Sequence, residues 1–245
     1  MASSVLSSIS RFGLTEPFEL QVARGQITGH STVNIFGFNP TVGTAFITPW
    51  ELNTDYVFPT VAVVMAMVST SALDTGMRIL VQGLDADYNP ISELVTITGT
   101  TPVNTTKAYF RINAMSVIDA VIVGNVTASN GGVTYAQITD GVGRTQMAQY
   151  TVPANHSLFL YRLNAWSATA TGSQYITFRN RIQTDGARYD VAQATFSGAP
   201  FEVQRRIPFV YSAKTSIQLQ VKSSASTNDV AVAAEGILIK LNGLA

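Results

Sequence analysis

Residues 77–100, "MRILVQGLDADYNPISELVTITGT", decide how this chain folds. Their middle, residues 84–90, sets Asp85, Asp87 and Asn89 at alternate positions, which is how a calcium loop of the EF-hand type begins. Such a loop needs a glycine at its sixth position and a bidentate carboxylate at its twelfth. Counted from Asp85, those positions hold Pro90 and Thr96. Proline also withholds the amide hydrogen that would help close the loop. On the amino-terminal flank, Ile79 and Val81 fall on one face while Arg78, Leu80 and Gln82 fall on the other, and "ISELVTITGT" alternates likewise. That period belongs to strands, not to the helices that frame an EF-hand. The stretch therefore reads as a β-hairpin whose turn is made of Asp, Asn and Pro, residues suited to turn geometry. No metal ligands are expected from it.

Outward from the hairpin the same pattern repeats. Strand-like runs are expected at residues 31–38, 44–52, 60–70, 77–84, 91–100, 107–120, 120–129 and 133–140. A second series is expected at 145–152, 157–169, 174–184, 187–196, 200–211, 216–224 and 230–241. Gly, Asn, Asp, Pro and Ser-Thr clusters separate the runs, and nothing reads as a long helix. Alternation with one core face and one wet face, over many short strands, predicts antiparallel sheets packed as sandwiches or jelly rolls. An echo at a spacing of roughly 98 residues between "MVSTSALDTGMRILVQGLDADYN" and "AWSATATGSQYITFRNRIQTDGARYD" favours two tandem units. The expected organisation is an extended N-terminal arm over 1–30, a β-sandwich over 31–142 and a second over 143–245.

Composition narrows the function. Charged residues are 12% of the chain, about half the roughly 25% usual for soluble domains. Fifteen basic residues balance fifteen acidic ones, so no net field draws the chain to nucleic acid or to an anionic membrane. A weakly charged, neutral surface associates readily. Without cysteine, disulfides, thiolate catalysis and cysteine-ligated metals are excluded. The N-terminus lacks the basic and apolar regions of a secretory leader, and the longest apolar run, 61–68, is far short of the roughly 20 residues that span a bilayer.

Catalytic patterns are sparse. His30 and His156 lie in different halves with no carboxylate or second imidazole beside them in sequence, and no G-x-S-x-G elbow occurs. "SNGGV" at 129–133 has no helix after it to aim amides at a phosphate, so it reads as a hairpin turn. Paired carboxylates for glycoside hydrolysis would come from Glu51, Asp55, Asp85, Asp87 and Glu93, with nothing to single out a pair. Arg179, Arg181, Arg205 and Arg206 could hold a phosphate or a sugar carboxylate, but read better as surface or interfacial strand residues. Trp50, Tyr56, Tyr161 and Trp166 could stack on sugar rings, although large aromatics in a sandwich usually fill its core. The reading is of no catalytic residue, no cofactor and no metal.

The run "MRILVQGLDADYNPISELVTITGTTPV", then "YFRINAMSVIDA", "QMAQYTVPANHSLFLYRL" and "VAVAAEGILIKL", resembles structural proteins of tailed-phage particles, especially those of marine and cyanobacterial phages. The matching residues are Gly83-Leu84-Asp85, 92–100, Arg111-Ile112-Asn113 and 150–154, within a likeness covering roughly 30–241. The resemblance implies a non-enzymatic virion protein, assembled in the host cytoplasm, that decorates or cements the capsid or sits on the head-to-tail connector or tail. Its implied partners are copies of itself, with a trimer slightly favoured, and other virion proteins such as the major capsid or connector protein. Nucleic acid and membrane are not among them. The alternative is a receptor-binding fibre or spike module that recognises a host glycan, and the third reading is a glycan-cleaving enzyme.

Overall fold

The computed structural model describes residues 16–118, 121–168, 174–184, 186–225 and 227–241. In chain order its elements are a short helix α1 (Phe18–Ala23), β1 (His30–Val42), β2 (Val63–Ser69), a 3-10 turn (Ala72–Asp74), β3 (Thr75–Leu84), β4 (Pro90–Thr98), β5 (Val103–Tyr109) and β6 (Arg111–Val117). There follow β7 (Val126–Asn130), β8 (Val133–Ile138), β9 (Gln149–Thr151), β10 (His156–Trp166), β11 (Ile176–Thr184), β12 (Ala187–Phe196), β13 (Phe201–Tyr211), β14 (Ser216–Ser223) and β15 (Asn228–Lys240). The fold is all-β, built from antiparallel sheets as the alternation predicts.

Four sheets make two sandwiches. In the first, the sheet ordered β5-β2-β7-β8 faces the sheet β4-β3-β6. Met65 and Met67 of β2 meet Ile79 and Val81 of β3 in its core, with Ile97, Tyr109, Ile112 and Met115. Ile79 and Val81 are fully buried, on the face that the period assigned them. In the second sandwich, the sheet β1-β15-β10-β13 faces β12-β11-β14-β9, and Leu158, Leu160, Phe178, Leu219, Val230 and Val232 fill the space between.

The chain order of the sandwiches differs from a simple tandem. The division at 31–142 and 143–245 assigns β1 to the first unit, yet β1 pairs with β15 from His30↔Ile239 onward. The first core runs from Trp50 to Met147, while Val42 and Ala148 on either side belong to the second core. The first sandwich is thus an insertion between β1 and β9 of the second. Sequence periodicity could not show this, because it fixes which face of a strand is buried and not which strand lies beside it.

Three expected strands also resolve differently. Residues 44–52 give a single bridge, Ile47↔Val221. Pro49 has no amide to donate, and the Thr48 amide is taken by the Asp55 carboxylate at 3.0 Å. The run 107–120 breaks at Phe110, so that β5 pairs with β2 while β6 pairs with β3. Arg111 and Ile112 are both buried there, so both faces of the chain are covered where it changes sheet. Gly83 permits the crossing, since a Cβ on it would lie 2.0 Å from the Arg111 carbonyl oxygen. Finally, residues 121–125 form a loop before β7, because the buried Asp74 carboxylate accepts the amides of Val123 and Gly124 at 2.9 and 3.0 Å. Of the expected arm, residues 1–15 lie outside the described residues, and 18–23 are helical where an extended chain was expected, with Val22 buried.

Candidate functional site

The polar chemistry of the molecule is concentrated where the sandwiches meet. Arg111 opens β6 immediately after the bend, and its residue is 5% exposed. Its Nη1 donates to the carbonyls of Pro59 at 3.0 Å and Phe110 at 2.7 Å, and its Nε reaches Ser216 Oγ of the second sandwich at 3.4 Å. The guanidinium lies over the rings of Phe110 at 3.9 Å, Phe58 at 4.6 Å and Tyr88 at 5.7 Å. Burial pulls its pKa below the ordinary arginine value, while the tyrosines nearby oppose that shift. The group remains a cation, held by carbonyls and aromatic faces in place of a carboxylate.

The opening hairpin turn docks at the same junction. Asp85 Oδ1 accepts the amides of Asp87 and Asn89 at 2.9 and 2.8 Å, and Oδ2 accepts the Asn89 side chain at 3.2 Å. Tyr88 takes the left-handed conformation, φ 66°, that a tight turn requires. Its carbonyl then accepts the Ala154 amide of the second sandwich at 2.8 Å, and Lys214 Nζ lies 5.6 Å from its ring. Three donors thus tie the Asp85 carboxylate into the turn itself.

Residues 43–58 cover the outer face of β14. Asn39 holds this connector through Nδ2 to the carbonyls of Trp50 and Leu52 at 3.1 and 3.0 Å. Gln218 Nε2 donates to Thr48 Oγ1 at 3.0 Å, and Gln220 Nε2 donates to Asp55 Oδ1 at 3.2 Å. Gln220 Oε1 in turn accepts Arg179 Nε and Nη2, and that guanidinium stacks 3.7 Å from the Phe46 ring. This cover explains why Gln218 and Gln220 are buried on what the period makes a solvent face. Glu51 sits between the two connectors: its Oε1 accepts the Gln146 amide, and its Oε2, shut from solvent, has no hydrogen-bond partner among the described residues. Burial pushes this carboxyl up to about 7.

Of the carboxylates weighed for hydrolysis, Glu51, Asp55, Asp85 and Glu93 each accept backbone amides. Asp55 serves the Thr48 and Tyr56 amides, and Glu93 Oε2 accepts the Thr106 amide and hydroxyl at 2.9 and 2.6 Å. Asp87 is an exposed member of its own turn. The four arginines are split between two sheets: Arg179 and Arg181 on β11 pair with Asp190, whereas Arg205 on β13 donates to the Ile207 carbonyl and stacks on Phe209. Arg206 is exposed on β13. His30 Nδ1 faces the Thr28 carbonyl at 3.1 Å and His156 Nδ1 the Ala154 carbonyl at 2.7 Å, each a local turn contact. Trp50 and Tyr56 are core residues in edge-on contact at 5.1 Å, and Tyr161 is half-buried on β10. Trp166 is 38% exposed and lies 6.2 Å from Phe36 on the outer face of the second sandwich. Gln149 was not singled out by sequence reasoning, Glu51 was weighed only as a hydrolytic carboxylate, and Arg111 entered only through the resemblance. The signal available for Arg111 was an arginine between Phe110 and Ile112 in a run otherwise apolar enough to be core.

Between the sandwiches lies a cleft of about 450 Å³. One wall is the run of consecutive residues 31–36 on β1, the other is formed by β3, β4 and β6 at Gln82, Ile91 and Asn113, and Gln149 and Tyr150 lie at its floor. Asn113 bridges to Thr151 through two hydrogen bonds of 3.0 Å, which fixes the floor strand against β6. Gln149 is buried, donates from Nε2 to the Ile112 carbonyl at 2.6 Å, and leaves Oε1 without a hydrogen-bond partner among the described residues.

Comparison with known proteins gives this chain no family. No family model matches it, and no curated protein does. Among solved structures, "Structure of infectious bursal disease virus Gt strain" aligns over 91% of this chain and 77% of that chain, at 11% identity and a TM-score of 0.22. An overlap that slight carries no argument, and the junction described above stands on its own geometry.

Proposed function

We propose that this chain is a non-enzymatic structural protein of a virus particle, of the tailed-phage type suggested by its sequence resemblance. It assembles as an oligomer on the capsid or on the head-to-tail and tail apparatus. The observation that supports assembly most is the apolar side chains left on edges and loops: Leu73 is 78% exposed, Ile207 77%, Val121 66% and Val61 64%. Ile207 is the sharpest case. Opposite β10, the register jumps from Arg162↔Gln204 to Leu160↔Phe209, so residues 205–208 bulge from the outer strand and carry Ile207 into solvent. Such bulges guard sheet edges against indiscriminate pairing while presenting a chosen side chain. Apolar side chains on a weakly charged surface are suited to contact with other subunits. Labelled particles imaged by electron microscopy, with light scattering on the purified chain, test the proposal. Label on the particle and a mass above the monomer are expected; a monomer at every concentration, absent from particles, overturns it.

A glycan-binding module is the second reading, favoured by Trp166 beside Phe36 on an outer face. Binding on a glycan array that is abolished by Trp166→Ala would move the assignment to it.

A further inference from the structure

The cleft exposes an unfinished sheet. β1 is the outermost strand of its sheet, hydrogen-bonded on one side to β15. Toward its C-terminal end a face of this strand is closely covered, since a Cβ on Gly37 would lie 2.4 Å from both the Ala148 amide nitrogen and the Pro49 carbonyl. Among the described residues no strand pairs with the other edge of residues 31–35, which line the cleft one after another. This stretch, Ser-Thr-Val-Asn-Ile, carries neither the charge nor the proline that usually blunts an edge. Its length is about 16 Å, room for a five-residue strand at roughly 3.3 Å per residue. The buried Gln149 Oε1 at the cleft floor is an acceptor without a donor among the described residues.

We infer that this edge is completed by residues 1–15 of a second copy of the chain, added as an extra strand beside β1. The inference rests on the reading that the protein assembles with itself, and it names the contact. Three observations select the occupant. "MASSVLSSISRFGLT" contains one charged side chain, Arg11, so residues 2–10 enter a cleft without burying a charged side chain. In strand conformation Val5, Ser7 and Ile9 share one face, offering apolar groups to a wall that includes Val33, Ile35 and Met147 and a hydroxyl donor suited to Gln149. The chain beyond residue 16 leaves from beside α1, whose Glu19 stands with Thr32, Asn34 and Tyr161 on the outer face of the same sheet. Fifteen residues span up to about 50 Å when extended, enough to reach a neighbour. Backbone pairing supplies affinity and alternate side chains supply specificity, as in other strand-addition contacts.

The absence of cysteine makes the test direct. One batch of full-length chain carries Ile9→Cys and another carries Ser31→Cys; they are mixed, oxidised and run on a non-reducing gel, with Val5→Cys and Ser7→Cys covering other registers. A covalent dimer in the mixture is expected. A link that forms only when both cysteines are on one chain, or none at any of the three arm positions, overturns the inference. Val5→Asp with Ile9→Asp lies outside the described fold and tests it separately, with self-association weakened at least about tenfold, the consequence of roughly 1.4 kcal/mol or more. If that variant and a chain lacking residues 1–15 both associate as tightly as the parent, the arm contact is wrong while the assembly reading stands. A parent chain that is monomeric throughout removes both.

Discussion

The two sandwiches solve the same packing problem with different material. The inserted one packs Met65, Met67, Met115 and Met147 with Trp50, Tyr56 and Tyr109, and all its strands come from one continuous run of chain. The enclosing one packs Leu, Ile, Val and Ala around Phe178, and it closes only when β1 finds β15, with His30 opposite Ile239. Methionine adapts to irregular gaps, whereas branched aliphatics demand a fitted space. Local strands also pay a smaller loop-closure cost than a pairing across some two hundred residues. The inserted sandwich should therefore form early and tolerate change, and the enclosing one should form last and be less forgiving.

The strongest challenge to that contrast is a pair of core truncations. Phe178→Ala removes a fully buried ring from the enclosing core and should cost about 3–5 kcal/mol, against about 2–5 for Met65→Ala in the inserted one. Each sandwich holds one tryptophan, Trp50 in the first and Trp166 in the second, so fluorescence of single-tryptophan variants during urea unfolding reads them separately. Phe178→Ala is expected to lower the midpoint seen by Trp166 by more than Met65→Ala lowers that seen by Trp50. Equal shifts in both signals for both variants would mean one cooperative unit and no contrast.

The junction gives a pH test. The unfolded Glu51 carboxyl ionises near 4.5 and the folded one near 7. Between those values the unfolded chain is charged while the folded chain keeps its proton, so stability is full below about 4.5 and declines as pH rises to 7. The decline is bounded at about 3 kcal/mol, from 1.36 kcal/mol per unit. Urea midpoints across this window should fall for the parent and stay flatter for Glu51→Gln, and parallel profiles would refute the role given to the buried carboxyl.

Arg111→Met is next. It keeps bulk but leaves the Pro59 and Phe110 carbonyls without their donor, at about 1–3 kcal/mol, and it should separate the two unfolding transitions because the contact to Ser216 joins the sandwiches. Limited proteolysis checks the separation, which should appear as faster cutting in residues 43–58. The smallest effect belongs to Asp85→Ala, about 1 kcal/mol by analogy with a lost cap, visible as a lower melting temperature. Calcium should shift the parent's melting no more than the variant's; a calcium-induced rise abolished by Asp85→Ala would restore the metal loop.

How much was legible beforehand depends on the distance over which a residue acts. Ile79 and Val81 could be assigned to a buried face because the two-residue period is a property of the strand alone. The break at Phe110 was hidden, since Arg111 reads as an outward polar residue until Phe58, Pro59 and Ser216 close around it. Gln218 and Gln220 illustrate the same point, being polar yet covered by a connector about 165–172 residues away in sequence.

What the sequence determined by itself was local: most of the strands and the hairpin turn at residues 84–90. Asp85 satisfies amides two and four residues ahead of it, so neighbours in sequence suffice to specify the turn. Only the tertiary structure decided that β1 belongs beside β15, that one sandwich is inserted in the other, and that Arg111 is buried between them. A strand's edge offers the same amides and carbonyls to any partner, so the choice among partners is made by the packing of the whole molecule.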